Sequence, residues 1–145
     1  GKPLKSDHYF KWSKTPAKAG DMTFVTGHPG RTSRLQTIAE LEFKRDLSLV
    51  ETLNYLSELR GYLTAYQTQG DEQKRTSHDK LFYIENSLKA NKGKLKALMD
   101  PKFFAQKKSE EASLRKKAGN SEPWIEIEKA TKTYRNVYHS LFWLE

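Results

Sequence analysis

The sequence predicts a mainly α protein, an antiparallel helical bundle with a short β segment near its N-terminus. After residue 36, apolar side chains recur at spacings of three or four, which is typical of amphipathic helices. Glycine, proline and capping residues divide this region into separate helices. Before residue 37, two short runs at 9–12 and 22–26 have the aromatic and β-branched composition of strands.

Turn residues bound the second predicted strand on both sides. A Gly-Asp pair at 20–21 precedes residues 22–26, and Gly27, Pro29 and Gly30 break the chain directly after them. Because an isolated two-stranded ribbon is marginal in water, we expect these strands to belong to a larger sheet.

Local signals also place the helix ends. A short helix begins near Thr37, and residues 47–49 are interpreted as a bend that leads into a long helix ending near Gly70. The next helix opens at Asp71 and stops before Pro101, since proline disfavours helical geometry in the residue before it.

Two more helices are predicted after this proline, at 101–118 and from about 122 to 144, separated by Gly-Asn-Ser. The final residues, Phe-Trp-Leu-Glu, include no capping glycine and no basic turn. Together with strands that lack partners, this ending leads us to expect a piece of a longer protein.

Composition limits the function classes. The 145 residues include no cysteine, which excludes disulfides and thiolate chemistry. No apolar run approaches the roughly 20 residues that a membrane span needs. Much of the net charge of +8 comes from residues 89–117, where ten basic residues meet three acidic ones. Few aromatic residues interrupt them, so a solvated helix face is favoured over a nucleic-acid site, and no nucleic-acid partner is predicted.

The residues that resemble catalytic or ligand-binding groups have simpler explanations. Ser121 lies in a Gly-x-Ser sequence, but Glu-Pro follows it instead of glycine, so we interpret Ser121 as a helix N-cap with Pro123 in the first turn. The four histidines are scattered, so no metal or other cofactor is predicted. Arg31 and Arg34 could hold an anion, although tethering to nearby carboxylates is favoured.

Asn91 interrupts the apolar stripe of the helix that begins at Asp71. A polar group at a core-facing position costs roughly 1 to 3 kcal/mol unless it is hydrogen-bonded. We therefore expect its amide to find a local partner, a water molecule or a ligand.

One stretch resembles a known family. It reads Gly-Asp-Met-Thr-Phe-Val-Thr-Gly-His-Pro-Gly-Arg-Thr-Ser-Arg-Leu over residues 20–35. This run is similar to the Gly-x-Pro-Gly-x-Thr-x-Arg segment of bacterial serine dipeptidyl-peptidases of the dipeptidyl-peptidase 7 and 11 type. Four other segments also resemble this family: Lys-Trp-Ser-Lys at 11–14, Glu-Leu-Glu-Phe-Lys-Arg-Asp at 40–46, Leu-Asn-Tyr-Leu at 53–56 and Ile-Glu-Asn-Ser-Leu-Lys at 84–89.

The resemblance implies a chymotrypsin-like double β-barrel interrupted by a helical domain over the active-site cleft. Residues 1–36 would belong to the barrel and 37–145 to the helical cap, truncated at its C-terminus. The loop residues Gly27, Pro29, Gly30, Arg31 and Thr32 would form a structural border between them. The serine-protease triad would lie outside the chain, and the parent enzyme would be periplasmic or secreted.

The resemblance also implies a substrate site. Enzymes of this family release dipeptides from peptide N-termini and hold the free amino group partly through an asparagine of the helical domain. Asn86 is the best match and Asn91 the second candidate. An amide oxygen accepts hydrogen bonds from an ammonium group without adding charge.

Two hypotheses follow. The first is a helical cap that lines the substrate cleft of a serine exopeptidase, with peptide as the partner and a homodimer of the parent left open. The second is a non-catalytic helical interaction module with a basic face.

Overall fold

A computed structural model describes residues 3–28 and 33–144. The chain divides into two units, Gly1–Ser33 and Arg34–Glu145. The second unit is almost entirely helical, which confirms the prediction of a mainly α protein.

The predicted β segment is not formed among the described residues of the first unit, 3–28 and 33, which contain no helix and no strand. Backbone amide and carbonyl groups of a strand need a neighbouring strand, and residues 9–12 and 22–26 have none there. Their large side chains face solvent, with Trp12 97% and Phe24 86% exposed.

The predicted turn at 20–21 is present. The Asp21 amide donates to the Lys18 carbonyl at 3.1 Å, and the Lys18 amide donates to Asp21 Oδ2 at 2.8 Å. Gly20 supplies the positive φ of 95° that this turn requires.

The described residues of the second unit, 34–144, form five α-helices and one π-helical segment. Their bounds are α1 Ile38–Phe43, the π segment Lys44–Ser48, α2 Leu49–Gln67, α3 Asp71–Met99, α4 Pro101–Ala118 and α5 Glu122–Leu144. Asp100 caps α4 by accepting from the amides of Lys102 and Phe103, and Gly119 follows this helix in the left-handed conformation at φ 67°.

The interpretation of residues 47–49 as a bend needs correction. The backbone remains right-handed helical at Phe43 and at Ser48, so α1, the π segment and α2 run on without a break. The extra residue of the π segment Lys44–Ser48 is accommodated inside the helix instead of interrupting it.

Helices α2 and α3 form an antiparallel hairpin. Gln67 Nε2 donates to Ser77 Oγ at 3.0 Å near the turn, and Arg60 pairs with Glu85 farther along the two helices. The core between the helices consists of buried aliphatic side chains, each contributing about 1.5–3 kcal/mol by leaving water: Leu56, Leu63, Ile84 and Leu88.

A second apolar cluster joins the other end of this hairpin to α4. Leu49 of α2, Leu98 of α3 and Phe104 of α4 are buried together, and Ile38 and Leu41 of α1 pack against them. Helix α1 is therefore held against this cluster and against α4.

Glu111 of α4 fixes the start of α1. Thr37 and Glu40 form a capping box at this end, and Glu111 Oε2 accepts from the Ile38 amide at 2.6 Å. Glu111 Oε1 accepts from Arg115 Nη2 at 2.6 Å, so one carboxylate bridges two groups.

Aromatic side chains attach α5. The Phe43 ring lies 5.4 Å from the Tyr134 ring and 5.0 Å from the Tyr138 ring, and Tyr55 lies 6.1 Å from Phe142. No described residue of α5 is fully buried. None of the described helices is long and apolar enough to cross a membrane.

Candidate functional site

Asn86 lies on an open face of α3. Its side chain is exposed and has no hydrogen-bond partner among residues 3–28 and 33–144. The buried residues Ile84 and Leu88 point toward α2, and at about 100° per residue Asn86 lies on the opposite side of the helix. Its amide is therefore available to a group approaching from outside the hairpin.

Asn91 has a different environment. It is half-buried, and its Nδ2 donates to the Ser87 carbonyl at 3.0 Å, one turn earlier in α3. It lies between Leu88 and Leu95, which belong to separate apolar clusters. The side chain thus finds the local partner that the sequence requires, and no ligand is needed to satisfy it.

The structure does not bring the two asparagines together. Asn86 and Asn91 are five positions apart, which turns their side chains apart by about 140° around the helix. A single bound amine on the exposed side of α3 would therefore meet Asn86 and not Asn91.

Most of the glycine- and proline-containing loop lies outside the described residues. Gly27 is described and has φ 141°, a conformation that favours glycine. The predicted loop residues Pro29, Gly30, Arg31 and Thr32 are not described. Arg34 is exposed and pairs with no carboxylate in the described part of the chain.

Ser121 occupies the position expected of a helix N-cap. Its carbonyl accepts from the Ile125 amide at 3.2 Å, which is the first hydrogen bond of α5. Asn120, and not Ser121, provides the side-chain cap of α5, because its Oδ1 accepts from the Glu122 amide at 2.8 Å.

Helices α2 and α5 enclose a groove that no sequence pattern indicates. It has a volume of about 540 Å³ and is lined by side chains from both helices: Glu51, Asn54, Ser57, Glu58, His139 and Trp143. His139 Nδ1 lies 2.8 Å from Glu51 Oε1. The two residues are 88 positions apart, and no local pattern indicates the packing that joins them.

This groove places a serine near a histidine–glutamate pair, yet it lacks the features of a hydrolytic site. Ser57 Oγ donates to the Leu53 carbonyl at 2.6 Å, so its proton is engaged within α2. A serine hydrolase also needs free backbone amides for the oxyanion, and amides inside a helix are already bonded. The pair of His139 and Glu51 therefore links α5 to α2.

The carboxyl groups of two surface ion pairs have lowered pKa values. Arg45 donates two hydrogen bonds to Asp46, which lowers the pKa of the Asp46 carboxyl. Arg75 likewise lowers the pKa of Glu72. Neither pair lies beside Asn86 or in the groove, so both are interpreted as structural.

The described residues thus form a helical module that presents a polar side chain and an open groove but no assembled triad. The family model for peptidase S46 matches residues 1–145, and the chain belongs to this family.

One curated relative is the Asp/Glu-specific dipeptidyl-peptidase of Shewanella putrefaciens (strain CN-32 / ATCC BAA-453). It is 46% identical over 44 residues, which is 30% of this chain and 6% of that protein. No solved structure matches the chain.

Proposed function

We propose that this chain contains the helical cap of a serine-type exopeptidase of the dipeptidyl-peptidase 7 and 11 type, which releases dipeptides from peptide N-termini. The observation that carries the proposal is the peptidase S46 match along residues 1–145. The dipeptidyl-peptidase activity named for the Shewanella relative agrees with it.

In this proposal residues 1–36 belong to a chymotrypsin-like barrel and 37–145 to the cap. The exposed side chains of residues 9–12 and 22–26 fit strands whose partners come from elsewhere in the polypeptide. The triad comes from outside residues 1–145, and the cap walls the substrate cleft.

Asn86 is the proposed anchor for the substrate's free amino group. Its exposed amide has no partner among the described residues, so its oxygen can accept from an ammonium group without first losing an internal hydrogen bond. Asn91 already donates to Ser87, which favours a structural role for this second candidate.

Product analysis of the longer polypeptide tests the proposed activity. Incubation with a peptide of about ten residues should release dipeptides in order from the N-terminus, detected by mass spectrometry, and a serine-directed inhibitor should stop it. Release of single amino acids, or cleavage inside an N-acetylated peptide at the same rate, would contradict the proposal.

A further inference from the structure

Helix α5 has two apolar faces. Tyr138 and Phe142 lie on the first face, where their rings contact Phe43 and Tyr55. The second face, called the α5 seam, consists of apolar residues whose spacing alternates between three and four: Ile127, Ala130, Tyr134, Val137, Leu141 and Leu144. At about 100° per residue, the centre of the seam lies about 90° around the helix from the first face.

The α5 seam is exposed along its whole length. All six of its residues are exposed, and the exposed fraction reaches 46% at Val137 and 83% at Leu144. A contiguous apolar patch of this kind on a soluble protein marks an interaction surface. Alternating spacings of three and four are what a helix presents to a neighbouring helix. The pattern therefore indicates a helical partner.

Tyr134 joins the two faces of α5. Its ring lies 5.4 Å from the Phe43 ring and 5.5 Å from the Tyr138 ring, yet Tyr134 remains 44% exposed. The α5 seam is thus continuous with the aromatic contacts that already attach α5. A helix placed on the seam would extend this packing and cover the exposed part of Tyr134.

The area of the α5 seam is small for a dimer. Residues 127–144 span about 27 Å of helix, and a helix is about 10 Å wide, so the seam offers about 300 Å². A stable interface buries about 800 Å² on each partner. A helix tethered through the same polypeptide needs less area, because its effective concentration reaches the millimolar range. The area therefore favours a tethered helix over a second copy of this chain.

Charge disfavours a lipid surface as the occupant. Helices that lie on membranes carry polar faces rich in Lys and Arg. In α5, three acidic residues at 122, 126 and 128 balance three basic residues at 129, 132 and 135. The outer edge of the seam is bordered by the uncharged residues Thr133 and Ser140.

We infer that the α5 seam binds an amphipathic helix supplied by the same polypeptide outside residues 1–145. The 44 residues aligned with the Shewanella relative are 6% of that protein, which therefore has ample length for such a helix. The partner helix presents apolar side chains at spacings of three and four and no charge toward the seam. The inference rests on the proposed function only in placing this chain within a longer polypeptide.

Thiol labelling tests the inference, since the 145 residues include no cysteine. Val137→Cys places a thiol in the seam, and the control Lys132→Cys places one about 140° away, on an exposed side of α5. In the 145-residue chain both thiols should react readily with a maleimide. In the longer polypeptide Val137→Cys should react at least about tenfold more slowly, while Lys132→Cys keeps its rate. An unchanged rate for Val137→Cys would overturn the inference.

Photo-cross-linking identifies the occupant of the seam. With benzoylphenylalanine in place of Val137, illumination of the longer polypeptide should join position 137 to a peptide from outside residues 1–145. The product should keep the mass of one polypeptide. A product of twice that mass, or one that contains another protein, would overturn the inference.

The 145-residue chain provides a further test of the alternatives. Light scattering should show a monomer, and the chain should not sediment with vesicles of anionic phospholipid. A dimer, or vesicle binding, that Val137→Glu abolishes and Lys132→Glu retains would overturn the inference.

The readouts separate this inference from the proposed function. If the longer polypeptide releases dipeptides while Val137→Cys stays reactive in it, the tethered helix is wrong and the exopeptidase stands. If Val137→Cys is protected but no dipeptide is released, the proposed activity fails and the role of the seam stands.

Discussion

Replacing Glu111 should weaken the attachment of α1 to α4. Its two oxygens accept from the Ile38 amide and from Arg115 Nη2, both at 2.6 Å, and its side chain is only 11% exposed. A hydrogen bond to a charged group contributes about 1.5–3 kcal/mol. Since Arg115 is 31% exposed, solvent weakens that half of the interaction, and the expected loss for Glu111→Ala is about 3 kcal/mol.

Arg115 adds to the loss of stability expected for Glu111→Ala. Its Nε is buried and has no hydrogen-bond partner in the described part of the chain, and its guanidinium lies 5.7 Å from the centre of the Trp124 ring. Without Glu111, the Arg115 guanidinium loses the carboxylate that neutralises it, and a charge left without its partner in a partly buried site is unfavourable.

Urea unfolding followed by far-ultraviolet circular dichroism measures the effect. At an m value of about 2 kcal/mol/M, the loss expected for Glu111→Ala lowers the urea midpoint by about 1.5 M. Glu111→Gln should retain part of the cap, so its midpoint should fall by less. Among the described residues, the neighbouring Glu110 binds only Gln106 and Lys107 on the surface, so Glu110→Ala should leave the midpoint unchanged. Equal midpoints for Glu111→Ala and Glu110→Ala would refute the reasoning.

Three further outcomes are expected from the same unfolding measurement. Ile84 is 1% exposed, so Ile84→Ala should lower the free energy of unfolding by about 3 kcal/mol. Phe82 is 72% exposed, so Phe82→Ala should lower it little, and similar losses for the two variants would contradict the assigned core. Gly93→Ala should stabilise the chain by about 0.5–1 kcal/mol, and destabilisation would show a contact there. Because Arg45 lowers the folded-state pKa of Asp46, this pair stabilises the protein above about pH 4 and loses its effect as the pH falls through that folded pKa. Asp46→Asn should therefore be destabilising at pH 7 by less than about 1 kcal/mol, and this loss should shrink as the pH falls below about 4; a difference that stays constant with pH would contradict the pairing.

The helix bounds could be predicted because their signals are local. Pro101 begins α4, Asp71 begins α3, and Gly119 follows α4, as capping rules require. The periodic leucines likewise identified the faces of α2 and α3 that meet, since one stripe on each helix must be buried.

The remaining features depend on tertiary packing. Glu111 reaches the first turn of α1 across 73 residues, and His139 reaches Glu51 across 88. Neither spacing has a local signature, because both follow from how the helices pack. The predicted strands are not formed among the described residues for a related reason: the sequence at 22–26 favours a strand, but pairing requires another strand, and the described residues contain none.

Asn86 and Asn91 show how far sequence can assign a site. The family resemblance offers both as candidates, and the structure adds that Asn91 bonds to Ser87 within its own helix while the Asn86 amide is exposed without a partner among the described residues. The distinction depends on which side of α3 each residue occupies relative to α2.

The role proposed for Asn86 is to hold the free amino group of a peptide substrate. The most direct test measures kcat/KM of the longer polypeptide on a dipeptidyl substrate with a free N-terminus and on its N-acetylated form, for the wild type and for Asn86→Ala. Asn136→Ala, which removes another exposed amide from the interior of α5, is the matched control. Asn86→Ala should lower kcat/KM for the free substrate about 10- to 100-fold, the effect of losing one hydrogen bond to a charged group, and should reduce the preference over the acetylated form. A preference that Asn86→Ala leaves at the wild-type value, or that Asn136→Ala reduces equally, would contradict the proposed role of Asn86.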